Sequence, residues 1–134
     1  MKKILSAFVF AICILSVNFC SAYYYDDDSN YIFIGVWGSG GYFSYWYLPS
    51  IEVQEYNPPH YQISATEVVI GGKKIISETR EKISIRYNWY TKKTFHLEDG
   101  YWSRDDMEGL TGDYYKKRAN ALFRAAYKMK FYGY

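Results

Sequence analysis

Cysteine is nearly absent from this chain of 134 residues: Cys13 and Cys20 are the only two. Everything beyond position 20 therefore lacks disulfides, thiol nucleophiles and cysteine-ligated zinc. Histidine is as sparse, with only His60 and His96. No HExxH pair, Gly-x-Ser-x-Gly elbow or glycine loop followed by Lys-Ser/Thr occurs. The motif-borne readings of zinc protease, α/β-hydrolase and phosphate-loop enzyme fall away with them, although a Ser-His-Asp triad assembled in space stays open. The sequence implies no cofactor and no metal ligand set. Asp26-Asp27-Asp28 lacks the alternating spacing that wraps a loop around calcium. An excess of one charge is missing too. Lys2 and Lys3 account for the formal net charge of +2, and the rest of the chain balances. Global attraction to nucleic acid is not expected.

What is present begins with an export signal. Lys2 and Lys3 form a positive start, Ala7 to Leu15 is an unbroken apolar run, and Cys20-Ser21-Ala22 places small side chains at the −3 and −1 positions. Residues 1–22 are read as a signal peptide cleaved after Ala22. A spanning anchor is the alternative, but Ser6, Ser16, Asn18 and Ser21 interrupt the run. Lipidation at Cys20 is a further alternative, and the preceding Val17-Asn18-Phe19 lacks the small residues it requires. The expected location is secreted, periplasmic or cell-surface, with no stable membrane span after cleavage.

All 17 tyrosines and all four tryptophans follow Ala22. Tyrosine joins a large ring to a polar tip, so it serves half-buried strands and binding surfaces equally. Residues 23–30 read as a flexible acidic lead-in, because adjacent aspartates repel and offer nothing to pack. Residues 31–134 read as one domain.

Within it, Tyr31–Trp37 and Tyr42–Leu48 read as strands of a hairpin joined by Gly38-Ser39-Gly40-Gly41. Pro49 is expected to stop the second strand, with Ser50 to Val53 a short continuation or edge segment. Tyr56 to His60 is expected as an extended loop around Pro58 and Pro59. Tyr61–Ile70 is a third strand, and Ile75–Arg80 a strand or polar hairpin arm. Lys82–Tyr90 alternates most clearly: Ile83, Ile85, Tyr87 and Trp89 share one face, Lys82, Ser84, Arg86 and Asn88 the other. Thr94–Leu97 and Tyr101–Ser103 flank the tight turn Glu98-Asp99-Gly100. Arg104 to Gly112 reads as loop or a single helical turn. Asp113–Phe131 reads as a helix with Asp113 as N-cap and Gly133 at its C-terminal end. Its stripe Tyr115, Ala119, Leu122, Ala126 and Met129, widened by Phe123, should pack on the Ile83–Trp89 face. The expected fold is α+β: a meander-like antiparallel sheet of five or six strands against one C-terminal helix.

Tyr31-Ile-Phe-Ile-Gly35, a glycine-rich turn and Tyr42-Phe-Ser-Tyr-Trp-Tyr-Leu-Pro-Ser-Ile51 together resemble the opening hairpin of the surface-adhesin E family of small secreted bacterial proteins. The later strands, the aromatic Trp102 and the terminal helix are similar to its general layout, so the resemblance spans Tyr31 to Lys130. Family members can tie the helix to the sheet by a disulfide, which this chain lacks. The resemblance implies a surface or periplasmic domain that binds a host or envelope macromolecule, protein or glycan. It carries over no individual binding residue.

Three function classes follow. The first is an extracytoplasmic binding or adhesin-like module using Tyr42, Tyr45, Tyr47, Tyr90 and Tyr101 as aromatic contacts. A basic helix face of Lys117, Arg124 and Lys128, flanked by Lys116 and Arg118, offers a second surface for anionic polymers, glycosaminoglycans or lipid headgroups, or is simply the solvated side of an amphipathic helix. The second class is a small envelope hydrolase whose carboxylates, Glu98-Asp99 and Asp105-Asp106-Glu108, flank Tyr101 and Trp102. The third is a protein-interaction or inhibitory envelope protein that docks through a free strand edge. His60 and His96 are both expected to face solvent.

Overall fold

Alternating aromatic, β-branched and polar residues produce six strands in a computed structural model that describes residues 24–37, 41–105 and 108–127. Residues 1–22, read above as a signal peptide, most of the first glycine turn, Asp106, Lys128, Met129 and Gly133 lie outside the described residues. The strands are β1 (Tyr31–Trp37), β2 (Tyr42–Asn57), β3 (His60–Gly71), β4 (Ser77–Asn88), β5 (Lys93–Glu98) and β6 (Tyr101–Arg104). They pair in chain order as one antiparallel sheet, and a single helix, α1 (Leu110–Tyr127), follows. The α+β meander expected from the pattern is the observed fold.

The helix covers one face of the sheet. Ile63, Ala65, Ile83, Ile85, Tyr87 and Trp46 meet Ala119, Leu122 and Phe123 in a continuous apolar cluster, with Trp89 and Ala126 packed at its margin. The Trp46 indole N–H, buried with its ring, donates to the Arg118 carbonyl at 2.8 Å. Tyr114 lies against β1 at Gly35, where an added Cβ would come into van der Waals contact with its ring at 3.4 Å.

Four local expectations are corrected. Pro49 does not end its strand: β2 continues through it, because Tyr47 pairs with Thr66 and Glu52 with Ser64, leaving residues 48–51 in a bulge. A proline there forfeits no ladder bond, and Ser50 bridges the gap by accepting from the Thr66 N–H at 2.7 Å and donating to the Tyr47 carbonyl at 2.6 Å. The extended loop at Tyr56–His60 is instead a tight turn with a cis Pro58–Pro59 bond, and Asn57 pairs directly with His60. Residues 77–88 form one strand, not an arm followed by a strand. Finally, α1 starts at Leu110, so Asp113 sits inside the first turn. Its N–H donates to the Gly109 carbonyl, and its charge complements the helix dipole from within.

The acidic lead-in also departs from expectation. Residues 24–30 pack on the sheet face away from the helix. Tyr25 stacks on Tyr31 at 4.0 Å, Asp26 accepts from the Tyr45 hydroxyl at 3.1 Å, and Asp28 accepts from the Asn30 backbone and amide. Aromatic stacking and hydrogen bonding to the aspartates outweigh the repulsion among them. The result is a second, smaller cluster of Tyr45, Val68 and Ile70 under Tyr25, Tyr31, Phe43 and Tyr47.

Candidate binding surface

The five tyrosines singled out by composition do not converge. Tyr45 is 0% exposed and belongs to the second cluster, so it is no surface contact. Its phenol is pushed up to about 12 by burial and by Asp26. Tyr47 is half-buried beneath the Arg80 guanidinium, which lies 5.7 Å from its ring centre. Tyr42, Tyr90 and Tyr101 are exposed, but on three different turns. The sequence pattern could not tell Tyr45 from the others, because its burial depends on residues 24–30 folding back over it.

The basic helix face is narrower than expected. Lys117 and Arg124 are exposed. Arg118 turns inward, where its Nη1 donates to Glu67 on β3 at 3.0 Å with both side chains buried. Tyr114 donates to the other Glu67 oxygen at 2.5 Å. Burial first, then the adjacent Glu67, raises the Tyr114 phenol above its ordinary range.

The acidic loops close on a histidine. His96 is only 4% exposed, contrary to the expectation that it faces solvent. It pairs across the sheet with Ile85, whose side chain faces the helix, and so shares that buried face. Its Nδ1 lies 2.5 Å from Asp105 Oδ1 and its Nε2 lies 3.3 Å from Glu98 Oε2. The Asp105 hydrogen bond is the main reason its pKa is raised; burial and Arg118 oppose the shift. The Tyr115 ring lies tilted against the imidazole at 4.6 Å, and Arg118 lies 4.6 Å over Tyr115. A polar layer therefore runs Glu67–Arg118–Tyr115–His96–Asp105 between sheet and helix. Glu98 and Asp105 approach one imidazole, and do not face each other across an open cleft.

An aromatic cleft does form, at the end of the sheet where β2 turns into β3 and β4 leaves toward β5. Tyr56, Pro58, Pro59, Tyr61, Trp89 and Tyr90 line about 280 Å³. The register His60↔Asn88 brings the prolyl turn beside the end of β4, and the Trp89 N–H donates to the Pro59 carbonyl at 2.8 Å. Asn88 Oδ1 accepts from the Tyr90 and Thr91 N–H groups, which fixes the turn carrying Tyr90. Tyr56, Tyr61 and Tyr127 pack with ring centres 5.5 to 5.7 Å apart. The Lys92 ammonium lies 4.2 Å from the Trp89 ring centre. Tyr56 and Tyr90 keep their faces in solvent, at 62% and 80% exposure. Of these residues only Tyr90 was a sequence candidate. The signal that marks the rest, Tyr56-Asn-Pro-Pro and Trp89-Tyr90, lies in two segments whose meeting depends on strand register.

No family model, curated protein or solved structure matches this chain. None of these comparisons supports the resemblance to the surface-adhesin E family that was read from the hairpin and the general layout. Among the described residues no helix is long and apolar enough to cross a membrane.

Proposed function

We propose that this protein is an extracytoplasmic binding module, adhesin-like in character, whose ligand site is the cleft of Tyr56, Pro58, Pro59, Trp89 and Tyr90. The observation that carries this is a contiguous, exposed aromatic surface held rigidly by the prolyl turn and the Asn88 turn. Rigid aromatic side chains lose little entropy on binding and offer a large contact area. Ring faces bounded by tyrosine hydroxyls suit a ligand with one apolar face and hydroxyl edges, such as the sugar rings of a host or envelope glycan.

The test is a glycan-array screen of the full chain at low and moderate salt, followed by titration of any hit. Binding that survives salt and falls at least tenfold in Tyr56→Ala and Tyr90→Ala, but not in Tyr101→Ala, supports the cleft; a loss of about 1.4 kcal/mol corresponds to that factor. Tyr101 is 78% exposed on the β5–β6 turn, so it reports on nonspecific tyrosine contacts. Equal loss in all three variants, or capture by extended polypeptides alone, overturns the glycan assignment.

A second reading is supported by β1. It is an edge strand, Tyr31-Ile-Phe-Ile-Gly-Val-Trp37, without a charged residue. Such an edge suits addition of a partner strand. The opposite reach of β4, Ser77 to Ser84, pairs with β3 but not with β5, and is guarded by Glu78, Arg80, Glu81 and Lys82.

A further inference from the structure

The end of the sheet opposite the aromatic cleft has its own chemistry. Register crosses it as Trp37↔Tyr42↔Gly71↔Ser77. Beyond the last paired positions, Gly72-Lys73-Lys74-Ile75-Ile76 closes the β3–β4 hairpin. These five residues hold two lysines and no acid. Ile75 is 82% exposed and Ile76 is 62% exposed. Tyr42, next to Gly71 in register, is exposed as well, and so are Val36 and Leu110 on the helix side, where they share a cleft with Lys117.

The tip is held in shape by its glycines. Gly71 and Gly72 have φ of 149° and 142°. A Cβ on Gly71 would meet the Gly41 carbonyl oxygen at 2.1 Å, and one on Gly72 the Ile75 carbonyl oxygen at 2.2 Å. The backbone thus fixes two adjacent β-branched apolar side chains outward. The nearest acid on β4, Glu78, is engaged by Arg80 at 2.6 Å and Tyr25 at 2.5 Å. Glu108 precedes α1 and Asp113 lies in its first turn, so neither belongs to the hairpin. Among the described residues no acid pairs with Lys73 or Lys74, so the tip presents positive charge beside exposed hydrocarbon. Lysine heads meet lipid phosphates while branched side chains enter the acyl boundary.

We propose that the β3–β4 hairpin tip docks the protein peripherally on a bilayer containing anionic lipid, inserting Ile75 and Ile76 and placing Lys73 and Lys74 among the headgroups. The aromatic cleft, at the other end of the sheet, then faces away from the bilayer and remains open to a soluble or surface-bound ligand. The docking surface does not depend on the cleft having a ligand.

The test is amide hydrogen exchange of the full chain with vesicles of phosphatidylglycerol and phosphatidylcholine in equal parts, and with vesicles of phosphatidylcholine alone. The expected result is saturable, salt-sensitive protection of residues 71–77 with the anionic vesicles only. Lys73→Gln combined with Lys74→Gln weakens it roughly 25-fold, about fivefold per lysine. Ile75→Ser combined with Ile76→Ser removes it. The local readout separates the tip from the apolar run Ala7–Leu15, which every variant shares, and unchanged protection at Ile63 and Ile85 shows that the variants fold. Unchanged exchange at 71–77, equal protection by uncharged vesicles, or protection indifferent to these substitutions overturns the proposal.

Discussion

His96 Nδ1 lies 2.5 Å from Asp105 Oδ1, and both side chains are buried between β5, the chain beyond β6 and the helix. Asp105 is anchored independently, since its N–H donates to the Thr94 carbonyl at 3.0 Å. A carboxylate fixed in this way favours the imidazolium form, and Glu98 adds to it, while burial and Arg118 oppose it. The folded-state pKa is therefore raised above the unfolded value of about 6.5. A raised pKa contributes stability that is complete below the unfolded value and is lost as pH rises through the folded one. Thermal unfolding followed by circular dichroism should show the melting temperature falling from mildly acidic pH through and above neutrality. His96→Gln should flatten that slope. An unchanged slope in the variant would assign the pH dependence elsewhere.

The Glu67–Arg118 pair predicts an asymmetric mutational response. Arg118→Met leaves Glu67 buried with Tyr114 as its remaining partner and should cost about 3–5 kcal/mol. Glu67→Leu with Arg118→Met removes both charges and should recover most of that loss. Urea denaturation of the single and double variants measures the coupling. Additive losses would mean that the two side chains act separately.

Tyr45 should behave as a core residue and not as a ligand contact. Tyr45→Phe loses the hydrogen bond to Asp26 and should cost about 1 kcal/mol. Tyr45→Ala also empties a closely packed site and should cost about 3–5 kcal/mol. Its phenol, pushed up to about 12, should move toward the ordinary 10 in Asp26→Asn while staying raised by burial. Carbon-detected NMR titration of labelled tyrosine, following the resonance assigned to Tyr45 through its loss in Tyr45→Phe, reads this site.

Gly71→Ala should destabilise by at least about 2 kcal/mol, because it combines positive-φ strain with a collision against the Gly41 carbonyl. Gly100→Ala, at φ 81° with nothing within 4 Å of the added Cβ, keeps the strain without the collision and should cost less. Chemical denaturation of the two variants separates the terms.

Much of the fold was legible along the chain. The alternation Ile83, Ile85, Tyr87 marked a buried sheet face, and Ala119, Leu122 and Phe123 marked the helix stripe that covers it. These are periodicities within one element, and they follow from where successive side chains point. Strand ends were less legible. Pro49 is a stop signal in isolation, yet β2 accommodates it because a bulge removes that stretch from the ladder.

The candidate site was legible only in fragments. His96 sits between Phe95 and Leu97, and this alternation is equally consistent with either face of a strand. The position of Asp105 and the cover of Tyr115 decide that it is buried. Arg118 is one basic residue among several on α1, and only Glu67, 51 positions earlier, distinguishes it. Tyr56 and Trp89 meet because His60 pairs with Asn88. The local order of polar and apolar residues by itself determined the α+β meander, the faces of its clearest strand and the stripe of its helix, since backbone geometry alone converts that order into faces. Which aromatic rings are buried, which charges are paired and which side chains gather into a cleft was decided by tertiary structure, because those outcomes depend on contacts between residues far apart in the chain.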